Sequence, residues 1–92
     1  MVGVDPTIAV DAIRLVEGDR KNTYGSPDEN LWRIAGLWSS YLDAEVTAED
    51  VCNMMVLVKM SRGKATYKKD NSVDGVAYLL LADMFGRSDG TK

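Results

Sequence analysis

The side chains available for chemistry in this chain are limited first by what is missing. There is no histidine among the 92 residues, so histidine acid–base catalysis and most zinc sites are excluded. The single cysteine, Cys52, has no partner for an internal disulfide. Carboxylates, lysines, arginines, tyrosines and hydroxyls remain. Five of the eleven Lys and Arg residues (Lys59, Arg62, Lys64, Lys68 and Lys69) fall between positions 59 and 69 with no acid among them, in a chain of net charge −3. A second polar stretch, GDRKNTYGSPDEN from Gly18 to Asn30, adds Arg20, Lys21 and the lone aromatic Tyr24. Guanidinium and ammonium groups beside helix N-termini suit phosphate, and a tyrosine face suits a stacked base. A charge run taken alone is more often a solvated loop.

Divalent-metal chemistry has a narrower basis. Asp70 and Asp74, one helical turn apart, offer the carboxylate oxygens that hard cations take. A metal-dependent phosphate hydrolase wants three or four inward carboxylates, and Glu49 and Asp50 start a helix at the far end. No cofactor is therefore expected, with Mg²⁺ entering only if the protein is an enzyme.

These residues need helices to position them. Composition is that of a soluble globular chain, 46% apolar and 27% charged, and its length suits one domain over residues 1–92, with a core from about 5 to 86 and a frayed tail at 87–92. No apolar run spans a bilayer and no leader pattern opens the chain, so no membrane partner and a cytoplasmic location are expected. The acidic balance argues against generic nucleic-acid binding.

Four helices carry start and stop signals, and no stretch alternates at period two, so the fold class is all-α, a four-helix up-down bundle. The first runs from about Pro6 to Glu17, with Asp5 as cap and Gly18 as stop. The second starts at Ser26-Pro27-Asp28-Glu29, a capping box, and reaches Leu42. The third begins at Thr47-Ala48-Glu49-Asp50 and ends at Arg62 before Gly63. The fourth starts between Asp70 and Ser72 and continues to Gly86. Helices three and four are apolar on more than one side, with Cys52, Val56 and Met60 roughly opposite Val51, Met55 and Val58. A homo-oligomer built on these two helices is the expected consequence. Cys52 reads as packing, and Trp32, off the main stripe of helix two, as a contact for the first helix or a second subunit.

On helical wheels Arg62 lies in line with Val51, Met55 and Val58, and so points inward, with Lys59 at the stripe's edge. Asp70, Asp74 and Tyr78 align with Leu81 and Phe85, and Asn30 aligns with Ile34, Leu37 and Tyr41, with Arg33 beside it. If helices two, three and four run up, down and up, one rim gathers Arg20, Lys21, Tyr24, Asn30, Arg33, Lys59, Arg62, Lys64, Lys68, Asp74 and Tyr78 as ligand-binding candidates. Arg62 and Asp74 have a purely structural reading too, as a partly buried ion pair.

The order GDR…YG…N…RIAxLW…TxEDV…MM…LxK…R…K…D…VD…Y, from Gly18 to about Leu81, resembles a family of small phage-encoded domains. Tyr24-Gly25, Lys59 to Arg62, and Asp70, Asp74 and Tyr78 also look like elements of the nucleotide-modification-associated domain of phage genomes. More distantly, the acid ahead of an apolar run in the final helix is similar to MazG-like nucleotide pyrophosphohydrolases, but no Glu-x-x-Glu pair occurs here. The resemblance implies a phage protein dealing with nucleotides. The expected function is non-catalytic binding of a nucleotide or nucleotide-derived signal, such as sequestering a cyclic nucleotide of host defence. A divergent Mg²⁺-dependent MazG-like pyrophosphohydrolase and a protein–protein adaptor are the alternatives.

Overall fold

The computed structural model describes residues 1–19 and 27–88. Four α-helices account for most of them: α1 (Pro6–Arg14), α2 (Pro27–Leu42), α3 (Ala48–Ala65) and α4 (Lys69–Ser88). Among the described residues there is no strand, which is the all-α class expected from the periodicity.

Local chemistry explains where the helices begin. The Asp5 carboxylate accepts the Thr7 N–H at 3.0 Å and its hydroxyl at 2.6 Å, and Pro6 occupies the first helical position. At α3, Thr47 Oγ1 accepts the Asp50 N–H while the Asp50 carboxylate accepts the Thr47 N–H, both at 3.0 Å, closing the capping box legible in the sequence. Ser26, the expected cap of α2, lies outside the described residues.

Helix ends depart further from expectation. None of Gly18, Gly63 and Gly86 takes the left-handed conformation of a glycine stop. The backbone beyond α1 widens into one π turn, Leu15–Asp19, α3 continues through Gly63 to Ala65, and α4 continues past Gly86 to Ser88. Gly86 is buried because Glu49 lies against it; a Cβ there would stand 3.5 Å from Glu49 Oε2. The left-handed residue is instead Asp43, φ 52°. It follows α2 and lets the Ala44 N–H reach back to the Ser39 carbonyl at 3.2 Å, a Schellman closure made without glycine.

α3 and α4 form an antiparallel hairpin, tied near its turn by Lys59 and Asp74 and at its other end by Glu49 against Gly86. α1 lies along α4 in the same direction. Its start meets Lys69, and Val16 and Glu17 lie beside Asp83, Met84 and Arg87 at the end of α4. α2 packs on α3 at the end of the hairpin away from its turn, an end closed by packing, where the Trp32 ring stands edge-on to Phe85, centroids 6.0 Å apart. Trp32 thus meets the fourth helix.

The core is built from small residues. Ala12, Val16, Leu31, Ala35, Ala48, Val51, Cys52, Val73, Ala77, Leu81 and Ala82 are buried, and the Cys52 thiol packs among them as expected. Large apolar side chains stay outside, including Leu37, Tyr41, Leu57, Met60, Tyr67 and Leu79, each more than half exposed. Alanine-rich contacts bring helices close but bury little area per residue.

Candidate functional site

The turn end of the hairpin holds most of the chain's concentrated positive charge, and the structure divides it into engaged and exposed cations. Lys59 Nζ lies 3.0 Å from Asp74 Oδ2, with side chains 14% and 34% exposed. The partner of Asp74 is therefore Lys59 and not Arg62. Arg62 is exposed, against the inward placement read from its wheel position. All the buried residues of α3 (Ala48, Val51 and Cys52) lie in its first two turns, so at Arg62 the inward side has passed the end of the core. A wheel gives direction around the axis but not height along it.

Lys69, the last of the five, joins α4 to the start of α1. Its Nζ donates to Thr7 Oγ1 at 2.6 Å and lies 3.8 Å from Asp5 and 3.6 Å from Asp11. The Thr7 hydroxyl and backbone N–H, with the nearby Lys69 charge, hold the Asp5 carboxyl below its ordinary 3.8. Arg62, Lys64 and Lys68 are exposed and form no ion pair among the described residues.

Beside this turn, α3 and α4 enclose an open cleft of about 400 Å³. Val56, Met60, Val76 and Leu79 give it apolar walls, and Gly63 and Gly75 keep those walls low, since nothing lies within 4 Å of a Cβ built at either. Lys59, Tyr67, Lys68, Asn71 and Ser72 supply its polar lining. Lys68 and Asn71 flank the start of α4, whose first N–H groups carry partial positive charge. An apolar cleft with a few convergent polar groups is the usual form of a small-molecule site, and this volume lies within the usual range of about 300–1,000 Å³.

The expected single rim is divided. Asn30 and Arg33 are exposed on the first turns of α2, and the neighbouring Trp32 rests on Phe85. Phe85 stands eleven residues beyond Asp74 on α4, about 16 Å along the axis at 1.5 Å per residue. The start of α2 is thus at the opposite end of the hairpin from Lys59 and Arg62. Sequence spacing alone cannot reveal that α2 packs against the beginning of α3 and not its end. Arg20, Lys21 and Tyr24 lie outside the described residues. Lys64 and Arg62, two residues apart on a helix, point to nearly opposite sides of α3. Tyr78 is half-buried within the α4 packing.

The structure brings together Lys59 and Lys68 in the cleft, with Asp74 on Lys59. It adds Tyr67, Asn71 and Ser72, which the sequence reading did not single out. The available signal was an aromatic inside the lysine run, K64-A-T-Y-K-K69. Asp70 is exposed and Asp74 faces an ammonium. Among the described residues no three potential metal ligands gather.

A family model described as a domain of unknown function, DUF6378, matches residues 7–85. The Gene 55 protein of Mycobacterium phage D29 is 42% identical over 73 residues, covering 78% of this chain and 48% of that protein. The Gene 55 protein of Mycobacterium phage L5 is 39% identical over 74 residues, with 78% and 47% covered. The chain spans about half the length of the curated relatives it matches. No solved structure matches.

Proposed function

From the premise that the chain belongs to the DUF6378 family, with relatives in mycobacteriophages, we propose that it binds a nucleotide or nucleotide-derived signal in the cleft at the hairpin turn, without turning it over. The observation that carries this reading is the composition of the cleft: apolar walls, an exposed tyrosine at its lip, Lys68 at the start of α4 and Lys59 on α3. A base fits apolar walls and the Tyr67 face. A phosphate fits Lys68 and the first N–H groups of α4. Lys59 is held in place by Asp74, which leaves the exposed Lys68 as the cation for ligand charge.

Binding is favoured over turnover by what lines the cleft. Of the described residues that form it, none is a carboxylate, the group that would act as base or metal ligand. In a phage setting such a protein sequesters a cyclic nucleotide of host defence or handles a modified nucleotide, working in the cytoplasm of the infected cell. No helix among the described residues is long and apolar enough to cross a membrane. The protein–protein adaptor remains the competing reading, supported by the large apolar side chains left outside the core.

Thermal-shift titration with mono-, di- and cyclic nucleotides, with and without Mg²⁺, tests the proposal. Stabilisation without metal and without product is expected. Metal-dependent product replaces it with the pyrophosphohydrolase, and no response to any nucleotide favours the adaptor. Tyr67→Ala and Lys68→Ala should each abolish most of the ligand-induced shift. Both residues are exposed, so the unliganded stability should stay within about 0.5 kcal/mol of the parent.

A further inference from the structure

The outward face of α3 is self-complementary about Leu57. Asp50 and Lys64 each lie seven residues from Leu57, two helical turns away and so on the same side of the helix. Met54 and Met60 lie three residues to either side and flank the stripe. All five are exposed: Leu57 by 62%, Met60 by 64% and Met54 by 39%, with Asp50 and Lys64 at the two ends. An acid in the first turn and a base in the last turn suit the helix dipole of an isolated helix. The dipole does not account for leucine and methionines facing water between them, when the core of the same helix is filled by alanine, valine and cysteine.

We propose that this face pairs with the same face of a second copy, the two α3 helices antiparallel across a two-fold axis at Leu57. The twofold then sets Leu57 against Leu57, Met54 against Met60, and Asp50 against Lys64, twice. Two-fold pairing requires a surface complementary to itself, and this stripe is so in both shape and charge. Apolar residues seven and three or four apart form the seam of paired helices, and the charges at its ends select the antiparallel register. The Asp50 carboxylate caps Thr47 through Oδ2, which leaves Oδ1 for the partner's ammonium. The pairing shares Met60 with the wall of the cleft but uses neither Tyr67 nor Lys68, the residues on which the ligand reading is tested.

Sedimentation equilibrium of the full chain across a concentration series should give the dimer mass. Leu57→Asp should give the monomer mass with helical circular dichroism retained, since the residue touches no core. Lys64→Glu and Asp50→Lys, each alone, oppose like charges in the homodimer and should raise its dissociation constant about tenfold or more. Mixed in equal amounts, the two variants regain opposite charges at both ends and should form a heterodimer of parent affinity. Because Asp50→Lys also removes the capping bond, Leu57→Cys provides a second route, with its thiols meeting across the axis and oxidising to a covalent dimer, while Ser40→Cys on α2 does not. A wild-type monomer at every concentration overturns the proposal. So do a Leu57→Asp dimer, or a dimer whose charge variants show no preference for each other and whose Leu57→Cys form does not crosslink.

Discussion

The two ends of the α3–α4 hairpin are built on different principles. At the closed end, α2 and the finish of α1 converge on α4. Leu81 is 1% exposed, Trp32 stands on Phe85, and Glu49 lies against Gly86. Ser39 joins α2 to the approach of α3, its Oγ donating to the Ala35 carbonyl at 2.7 Å and accepting the Val46 N–H at 2.9 Å. At the turn end the buried residues of α3 have run out, and ion pairs take over from packing. Packing is strong, but a side chain inside it is not available to a ligand. The exposed cations and the open cleft are possible because stability is concentrated elsewhere.

That contrast is breakable, most severely at the closed end. Leu81→Ala removes the largest fully buried side chain and should cost about 3 kcal/mol, read as a lower midpoint in urea unfolding. Ser39→Ala leaves the Val46 N–H without its acceptor and should cost about 1–2 kcal/mol in the same experiment. At the turn end, Lys59→Ala should cost only about 0.5–1 kcal/mol, because Asp74 keeps a third of its surface in water. Gly75→Ala should raise stability by about 0.5–1 kcal/mol, since the helix gains and the new methyl meets nothing. A loss at Gly75 as large as that at Ser39 would show that the turn end is packed after all.

The smallest expected effect is a pH dependence at the start of α1. The folded-state pKa of Asp5 is lowered, so its contribution to stability is full above its unfolded value near 3.8. That contribution is lost as pH falls through the lower folded value. Acid titration should therefore loosen α1 from α4 below about pH 4, and Asp5→Asn should flatten that part of the profile. An unchanged profile in Asp5→Asn would remove the Asp5, Thr7 and Lys69 cluster from the account of the turn end.

Much of the fold was legible from local chemistry. Asp5 with Pro6, and Thr47 with Asp50, mark helix starts because their hydrogen bonds close within three residues. The expected stops at Gly18, Gly63 and Gly86 misled for the opposite reason. A glycine permits a helix to end but does not require it, and helical turns run past each of these three. The candidate site was legible only as an inventory. Lys59 and Lys68 stood in the basic run, yet Tyr67, Asn71 and Ser72 entered only when α3 and α4 closed on each other.

By itself the sequence determined the helical class, the helix starts, and the absence of histidine and disulfide chemistry. Those properties depend on near neighbours in the chain and on residue identity. Only the tertiary structure decided that Lys59 and not Arg62 holds Asp74, that Lys69 pairs with the start of α1, and that the start of α2 lies far from the basic turn. Ion pairing depends on separation in space, falling with distance and with exposure to water. Two cations three residues apart on one helix therefore take different roles once one of them stands beyond the end of the core.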